Sequence, residues 1–288
     1  MVSGVGLRGY EETNSAMTEQ PDRTGGVDSS WDSGGAYELY VGRWSRLVAR
    51  EFVRWLAVPP GRRWLDVGCG TGALAHTVLE HAAPSEVVGI DPSAAYVASA
   101  ADRMGDDLRA RFEIGDAQDL RAPAATFDVV VSGLVLNFVP QAERAVAKMA
   151  RSTRPGGTVG AYVWDYAEGM GLIRHFWDAA GALDPKAKEL DEGRRFRLCK
   201  PEPLRRLFLS AGLEAVEVHA IEVATHFRDF DDYWSPFLGG QGPAPSYAMS
   251  LSQERRGELR ERIWAGLPSD PDGGIPLTAR AWAIRSIR

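Results

Sequence analysis

The stretch RRWLDVGCGTGALAHTVLE, residues 62 to 80, sets one aspartate and three glycines within positions 66 to 72. Gly68, Gly70 and Gly72 carry no Cβ and take positive φ at low cost, so a ligand can approach the backbone closely there. A glycine turn that opens a helix also aims backbone N–H groups at that ligand. The spacing is G-x-G-x-G, whereas a turn that cradles a pyrophosphate reads G-x-G-x-x-G. Asp66, two positions before the first glycine, adds to the distinction. Its carboxylate repels a pyrophosphate and accepts hydrogen bonds from an ammonium group, which favours a nucleotide-like ligand with a cationic amino acid end.

Two more acidic positions extend this chemistry. Asp91 ends the apolar run Val87 to Ile90, about twenty residues beyond the glycines, where nucleotide folds use a carboxylate to bind ribose hydroxyls. Asp116, followed by Ala117 and Gln118 in RARFEIGDAQDL, can receive an exocyclic adenine amine while an adjacent backbone N–H meets a ring nitrogen. Holding these groups on one edge requires strands that end together. Trp64, Leu65 and Val67 read as a short strand before the glycines, and Ala73, Leu74, Val78 and Leu79 as one face of the helix after them.

With LDVGCGTG, GIDPS, GDAQDL and RPGGTV in this order, the chain resembles the class I S-adenosylmethionine-dependent methyltransferases, and within them the small-molecule branch that includes the quinone-biosynthesis methyltransferases. The four motifs cover residues 64 to 160. The resemblance implies that Asp66 and Gly68 lie near the methionine amino end and that Gly70 and Gly72 shape the turn, with Cys69 between them. It also implies that Asp91 and Pro92 meet the ribose, that Asp116, Ala117 and Gln118 hold the adenine, and that Ser132, Gly133 and Leu134 of FDVVVSGLVLNFV lie beside the methionine portion. Relatives often carry a histidine pair where this chain reads Asn137 and Phe138, so no catalytic histidine is carried over there. The implied activity is direct in-line transfer of a methyl group to an oxygen, nitrogen or carbon atom of a small organic acceptor, leaving S-adenosylhomocysteine.

The whole chain fits this class. Its 288 residues suffice for a large core, and the alternation of strand and helix patterns favours one α/β domain with insertions. The net charge of −6, without a basic stripe along any helix, argues against nucleic acid as substrate. Cys69 and Cys199 form neither a disulfide framework nor a zinc pattern. The longest strongly apolar run, near Val129 to Val139, is too short to span a bilayer, so a cytoplasmic protein with no membrane partner is expected. Oligomeric state is open.

The expected fold is a Rossmann-like, doubly wound seven-stranded sheet with an antiparallel last strand and helical insertions that form a cap or lid. Residues 1 to 30 are expected to be a disordered polar tail and 31 to 288 a single methyltransferase domain. Within the domain, 37 to 57 form an amphipathic capping helix and 64 to 164 the cofactor-binding core, with substrate-side insertions at 165 to 200 and 225 to 275. Residues 227 to 250, rich in glycine, proline and aromatics, are expected as a lid loop carrying Tyr233, Trp234, Phe237 and Tyr247.

Methyl transfer needs alignment and water exclusion, and for an oxygen or nitrogen acceptor the removal of a proton. His175, in the aromatic segment RHFWD, is the first candidate base, with structural packing as its competing reading. His219 and His226 follow it, and His76 and His81 suit a helix surface. Tyr166 and Asp165 can contact substrate, although Asp165 also suits a helix N-cap. Tyr40 and Arg43 can close over the methionine end, Arg43 as a fork on its carboxylate, or can serve as a core tyrosine beside a solvated arginine. No metal is expected, because helix capping explains the aspartates of HFRDFDD more simply than magnesium does. The cations of GRRFRLCK read either as a solvated segment or as a clamp for an acidic substrate, and Trp164 and Trp177 as pocket wall. Two readings compete with the enzyme: a cofactor-binding regulatory or scaffold protein without turnover, and a nicotinamide-dependent oxidoreductase, which the glycine spacing opposes.

Overall fold

The computed structural model describes residues 42–239 and 242–288, and the disordered tail expected at 1 to 30 lies outside the described residues. Seven strands form one sheet in the order β3-β2-β1-β4-β5-β7-β6. The strands are β1 (Arg63–Val67), β2 (Glu86–Asp91), β3 (Ala110–Ile114), β4 (Phe127–Gly133), β5 (Thr153–Trp164), β6 (Glu214–Phe227) and β7 (Ile275–Ile287). The first five pair in parallel, and β7 inserts antiparallel between β5 and β6. This is the expected doubly wound sheet. Trp64, Leu65, Val67, Val87, Val88, Val129, Val130 and Val131 are all buried, as continuous apolar runs must be when helices cover both faces.

The strand crossovers are α2 (Ala73–His81), α3 (Ala94–Met104) and α4 (Ala142–Ser152), while β3 returns to β4 through a short 3₁₀ turn at Ala117–Asp119. The described part of the N-terminal helix, α1, runs from Arg43 to Leu56. It buries Val48, Ala49, Phe52, Val53 and Leu56, one face at helical spacing, and Phe52 packs 4.8 Å from the Tyr162 ring. Burying such a side chain is worth about 1.5–3 kcal/mol. Gly160, opposite Phe52, lets the helix lie close, since a Cβ there would come within 3.1 Å of Phe52 Cζ.

After β5 the chain builds a helical cap. Its first half comprises α5 (Gly171–Leu183), a short α6 (Glu192–Arg195) and α7 (Pro201–Ser210). Its second half lies between β6 and β7: α8 (Phe230–Trp234), a 3₁₀ segment Ser235–Gly239, α9 (Pro243–Ser250) and α10 (Gln253–Gly266). The expected lid loop is therefore helical and packed. Phe176 of α5 stacks on Phe237 at 4.5 Å, and the Tyr233 hydroxyl donates to the Leu172 carbonyl at 2.7 Å. Tyr233, Trp234 and Phe237 are core residues of this cap. Local chemistry explains the helices: Asp229 caps α8 by accepting from the Asp232 N–H at 2.8 Å, and a proline stands at the start of α9.

Candidate active site

The strand ends β1, β2 and β4 meet around the glycine turn. Gly68, Gly70 and Gly72 have φ of +75°, +52° and +85°. At Gly68 the constraint is internal, because a Cβ would lie 2.6 Å from Val135 Cγ1. At Gly70 a Cβ would meet nothing within 4 Å among the described residues, so that side of the turn is open with respect to them. The turn is pinned from below by hydrogen bonds from Gly68 N and Cys69 N to the Ile90 carbonyl, at 2.7 and 3.0 Å.

Asp66 closes the turn's strand side. It is 1% exposed, and neither carboxylate oxygen has a hydrogen-bond partner among the described residues. Burial pushes its pKa up to about 7; the Ala75 N–H opposes this without closing a hydrogen bond, and the charge of Asp91 adds to it. A buried acceptor left unbonded is costly. The group that satisfies it must donate hydrogen bonds, and an ammonium does so best.

Asp91 is engaged differently. Its Oδ2 accepts from Gly70 N and its Oδ1 from Ser93 N, each at 2.9 Å. Burial raises its pKa, and those two N–H groups counteract the rise. Pro92 beside it is exposed. At the end of β3, Asp116 accepts from Gln118 N at 2.8 Å and caps the 3₁₀ turn that holds buried Ala117. Gln118 in turn accepts from Gln141 N at 3.0 Å. Asp116 also lines a groove of about 510 Å³ with Leu65, Val88, Ile90, Leu120 and Phe127, on the sheet face opposite Asp66.

Along β4, the Ser132 hydroxyl donates to the Val67 carbonyl at 2.8 Å and ties β4 to β1. Gly133 admits the Tyr162 hydroxyl, which would lie 2.6 Å from a Cβ there. Leu134 adopts φ +62° and donates its N–H to the Tyr162 carbonyl at 2.8 Å. Cys69 is buried, and burial pushes its thiol pKa up, with Asp66 and Asp91 adding, so it is no nucleophile.

The expected acceptor side has a more mixed geometry. Tyr40 lies outside the described residues. Arg43 packs between the Trp44 and Phe227 rings, 4.4 and 4.5 Å from their centroids, and its Nη1 donates to Asp232 at 3.0 Å. Phe227 ends β6, four strands from β1 in the sheet order, about 19 Å at the usual strand spacing. Tyr166 is buried just past β5. Asp165, instead of capping a helix, pairs with Arg280 Nη2 at 2.6 Å and accepts from the Glu168 N–H at 3.2 Å. His175 is half-buried on α5; desolvation lowers its pKa and Asp178 opposes this. The aspartates of HFRDFDD serve as a helix cap and as partners of Arg43, Arg228 and Arg260. No group of three or more possible metal ligands occurs among the described residues.

Two features of this side escape sequence reading. Phe196 packs 5.2 Å from Phe138 and 5.1 Å from Tyr166, so the basic segment reaches the ends of β4 and β5. Glu192, almost fully buried, accepts a hydrogen bond from Trp177 Nε1 and joins α6 to α5. The one signal for the first was a phenylalanine set among arginines; the second had none.

Comparisons with known proteins bear on the family and the fold. Residues 65–157 match the family described as a methyltransferase domain. Nocamycin O-methyltransferase of Saccharothrix syringae is 35% identical over 131 residues, 44% of this chain and 46% of that protein. The 2-methyl-6-phytyl-1,4-hydroquinone methyltransferase of a Synechocystis species is 27% identical over 192 residues, 59% of this chain and 58% of that one. The chain thus matches about half the length of these curated relatives. Among solved structures, phosphoethanolamine N-methyltransferase 2 of Haemonchus contortus in complex with S-adenosyl-L-methionine superposes with a TM-score of 0.57 at 18% identity, over 93% of this chain and 61% of that one. Over the matched residues 65–157, and in its fold, the chain is similar to the class I S-adenosylmethionine-dependent methyltransferases.

Proposed function

We propose that the protein transfers a methyl group from S-adenosylmethionine to a small organic acceptor, without nucleic acid or membrane partner and in the cytoplasm. The observation that carries this reading is Asp66: a buried carboxylate with both oxygens unbonded among the described residues, behind a glycine turn where, of its three glycines, Gly70 has no described neighbour in the way of a Cβ. That pairing suits the ammonium of an amino acid end with the adjoining chain lying against the turn. Asp91 then takes ribose hydroxyls, and Asp116 with the Ala117 backbone takes the adenine edge. Support comes also from the curated relatives, which are named for small organic acceptors. No helix among the described residues is long and apolar enough to cross a membrane.

The bound cofactor supplies an electrophilic methyl on a sulfonium, so the protein's work is placement. The S–CH₃ bond breaks as the bond to the acceptor forms, and the sulfur keeps the electron pair as a thioether. Leu134 and Gly133 shape the end of β4 beside the methionine portion, and the packed cap excludes water. For an oxygen or nitrogen acceptor, His175 or Tyr166 is the candidate group to receive or relay the proton.

Calorimetric titration with S-adenosylmethionine, S-adenosylhomocysteine and NAD in parallel tests the reading. Dissociation constants on the order of micromolar for the first two, with no NAD binding, are expected, followed by methyl transfer in an acceptor screen. NAD binding alone, or silence from all three, would overturn it.

A further inference from the structure

The cap brings a ring and uncompensated cations to the end of the sheet where transfer is proposed. Phe138 lies just past β4 and Tyr166 just past β5; Phe196 bridges them at 5.2 and 5.1 Å while remaining half-buried. Asn137, beside Phe138, keeps its Nδ2 shielded from solvent without a hydrogen-bond partner among the described residues. A shielded donor of this kind can take an acceptor atom from a bound ligand.

Arg194, Arg195 and Arg197 flank Phe196 in sequence. All three are exposed, and their side chains make no ion pair or hydrogen bond with any described residue. Their near neighbours are already committed: Asp191 holds Arg174 through both oxygens, and Glu192 holds Trp177. Arginines elsewhere on this acidic chain commonly find carboxylates, as Arg63 does with Glu86 and Arg285 with Glu217. Three arginines neighbouring in sequence, without counter-ions among the described residues, beside a half-buried ring and a shielded amide donor, present recognition chemistry for a flat molecule bearing negative charge.

We propose that the methyl acceptor is a planar carboxylate. Its ring lies against Phe196, Phe138 and Tyr166, its carboxylate is held by Arg194, Arg195 and Arg197, and Asn137 Nδ2–H donates to one of its oxygens. This deepens the methyl-transfer reading and rests on it for the meaning of the site. The binding chemistry itself is independent of transfer.

The test uses the full-length protein with and without saturating S-adenosylhomocysteine, titrated with 2-naphthoate and its neutral counterpart 2-naphthamide and followed by naphthalene fluorescence. Naphthoate is expected to bind about tenfold tighter at low salt, with the preference shrinking as salt rises. In the Arg194→Gln/Arg195→Gln/Arg197→Gln variant the two probes should bind alike. Phe196→Leu should weaken both probes, and Arg262→Gln on α10 should leave the preference intact. S-adenosylhomocysteine affinity should hold in every variant, which also reports that each is folded. Equal affinity of the two probes for the wild type, no binding of either, or a preference that survives the triple substitution would overturn the proposal. Failure of S-adenosylhomocysteine to bind the wild type would instead sink the methyl-transfer reading, while the probe ratio measured without it still decides the anion site.

Discussion

The glycine turn offers a sharp separation of stability from binding. In Gly70→Ala the new methyl meets no atom of the described residues within 4 Å, so the intramolecular cost expected from them is the left-handed backbone at φ +52°. That cost is about 1–2 kcal/mol, or a fall in Tm of roughly 2–8 °C for a domain of this size. The Gly70 N–H to Asp91 hydrogen bond of 2.9 Å survives the change. Gly68→Ala carries the same kind of backbone cost and adds a collision, since its Cβ would lie 2.6 and 2.7 Å from the two γ-methyls of Val135. Overpacking adds about 1–3 kcal/mol, so the second variant should be clearly the less stable. Binding should run the other way round relative to stability. If the open side of Gly70 is where the cofactor lies against the backbone, the methyl removes that approach and costs about a hundredfold in affinity, close to 2.7 kcal/mol. Thermal unfolding and S-adenosylhomocysteine titration on the same preparations measure both. A Gly70→Ala protein that loses the expected Tm yet binds within about twofold of the wild type would refute the placement.

Asp66 makes stability and binding depend on pH in opposite directions. Its pKa in the free folded protein is about 7 against 3.8 ordinarily, burial being the main cause, so the folded state holds the proton that the unfolded chain releases. Stability without cofactor should therefore fall as pH rises from about 4 to about 7 and level off above, by up to roughly 4 kcal/mol from this group. S-adenosylhomocysteine affinity should rise through the same upper range as the carboxylate forms. In Asp66→Asn, urea unfolding should lose that decline and titration should lose that rise; profiles parallel to the wild type would contradict the role. In the cap, Phe237 is fully buried and stacked on Phe176 at 4.5 Å. Phe237→Ala should cost about 3–5 kcal/mol in denaturant unfolding while the folded protein keeps its S-adenosylhomocysteine affinity; a matching loss of affinity would show that the cap also supports the cofactor side.

The glycine turn and the strand ends around it were legible because their chemistry is local. Asp66, the glycines and the start of α2 fall within a dozen residues, and Asp91 and Asp116 each end a strand whose apolar run announces it. Glycine spacing and a flanking carboxylate are properties of the backbone turn itself, so one stretch of sequence carries them whole. The cap was harder. Phe230, Tyr233, Trp234 and Phe237 are spaced as a helical stripe, yet the surrounding Pro236, Gly239, Gly240 and Gly242 suggested a loop. Tertiary packing against Phe176 and Leu172 decided for helix. Other parts depend on pairs far apart in the chain, such as Arg280 with Asp165 and Arg43 with Asp232. Arg43 invited a reading as a carboxylate clamp because nothing near it in sequence reveals Asp232 or Phe227.

Leu134 joins the two halves. A leucine with φ +62° at the end of a strand is strained by about 1–3 kcal/mol, and glycine would relieve it. The strain is held by the Leu134 N–H bond to the Tyr162 carbonyl, while the absence of a Cβ at Gly133 makes room for the Tyr162 side chain. Turning the backbone there lets Val135 close down on Gly68, which fixes the cofactor turn from above. It also starts the 3₁₀ segment Leu136–Phe138 that brings Phe138 against Phe196, with Asn137 beside it. A left-handed residue thus sets, in five positions of chain, both the tightness of the glycine turn and the placement of the groups proposed to receive the acceptor. In-line transfer depends on the distance and angle between those two sites. Coupling them through one rigid, strained corner fixes that geometry more tightly than two independent loops would.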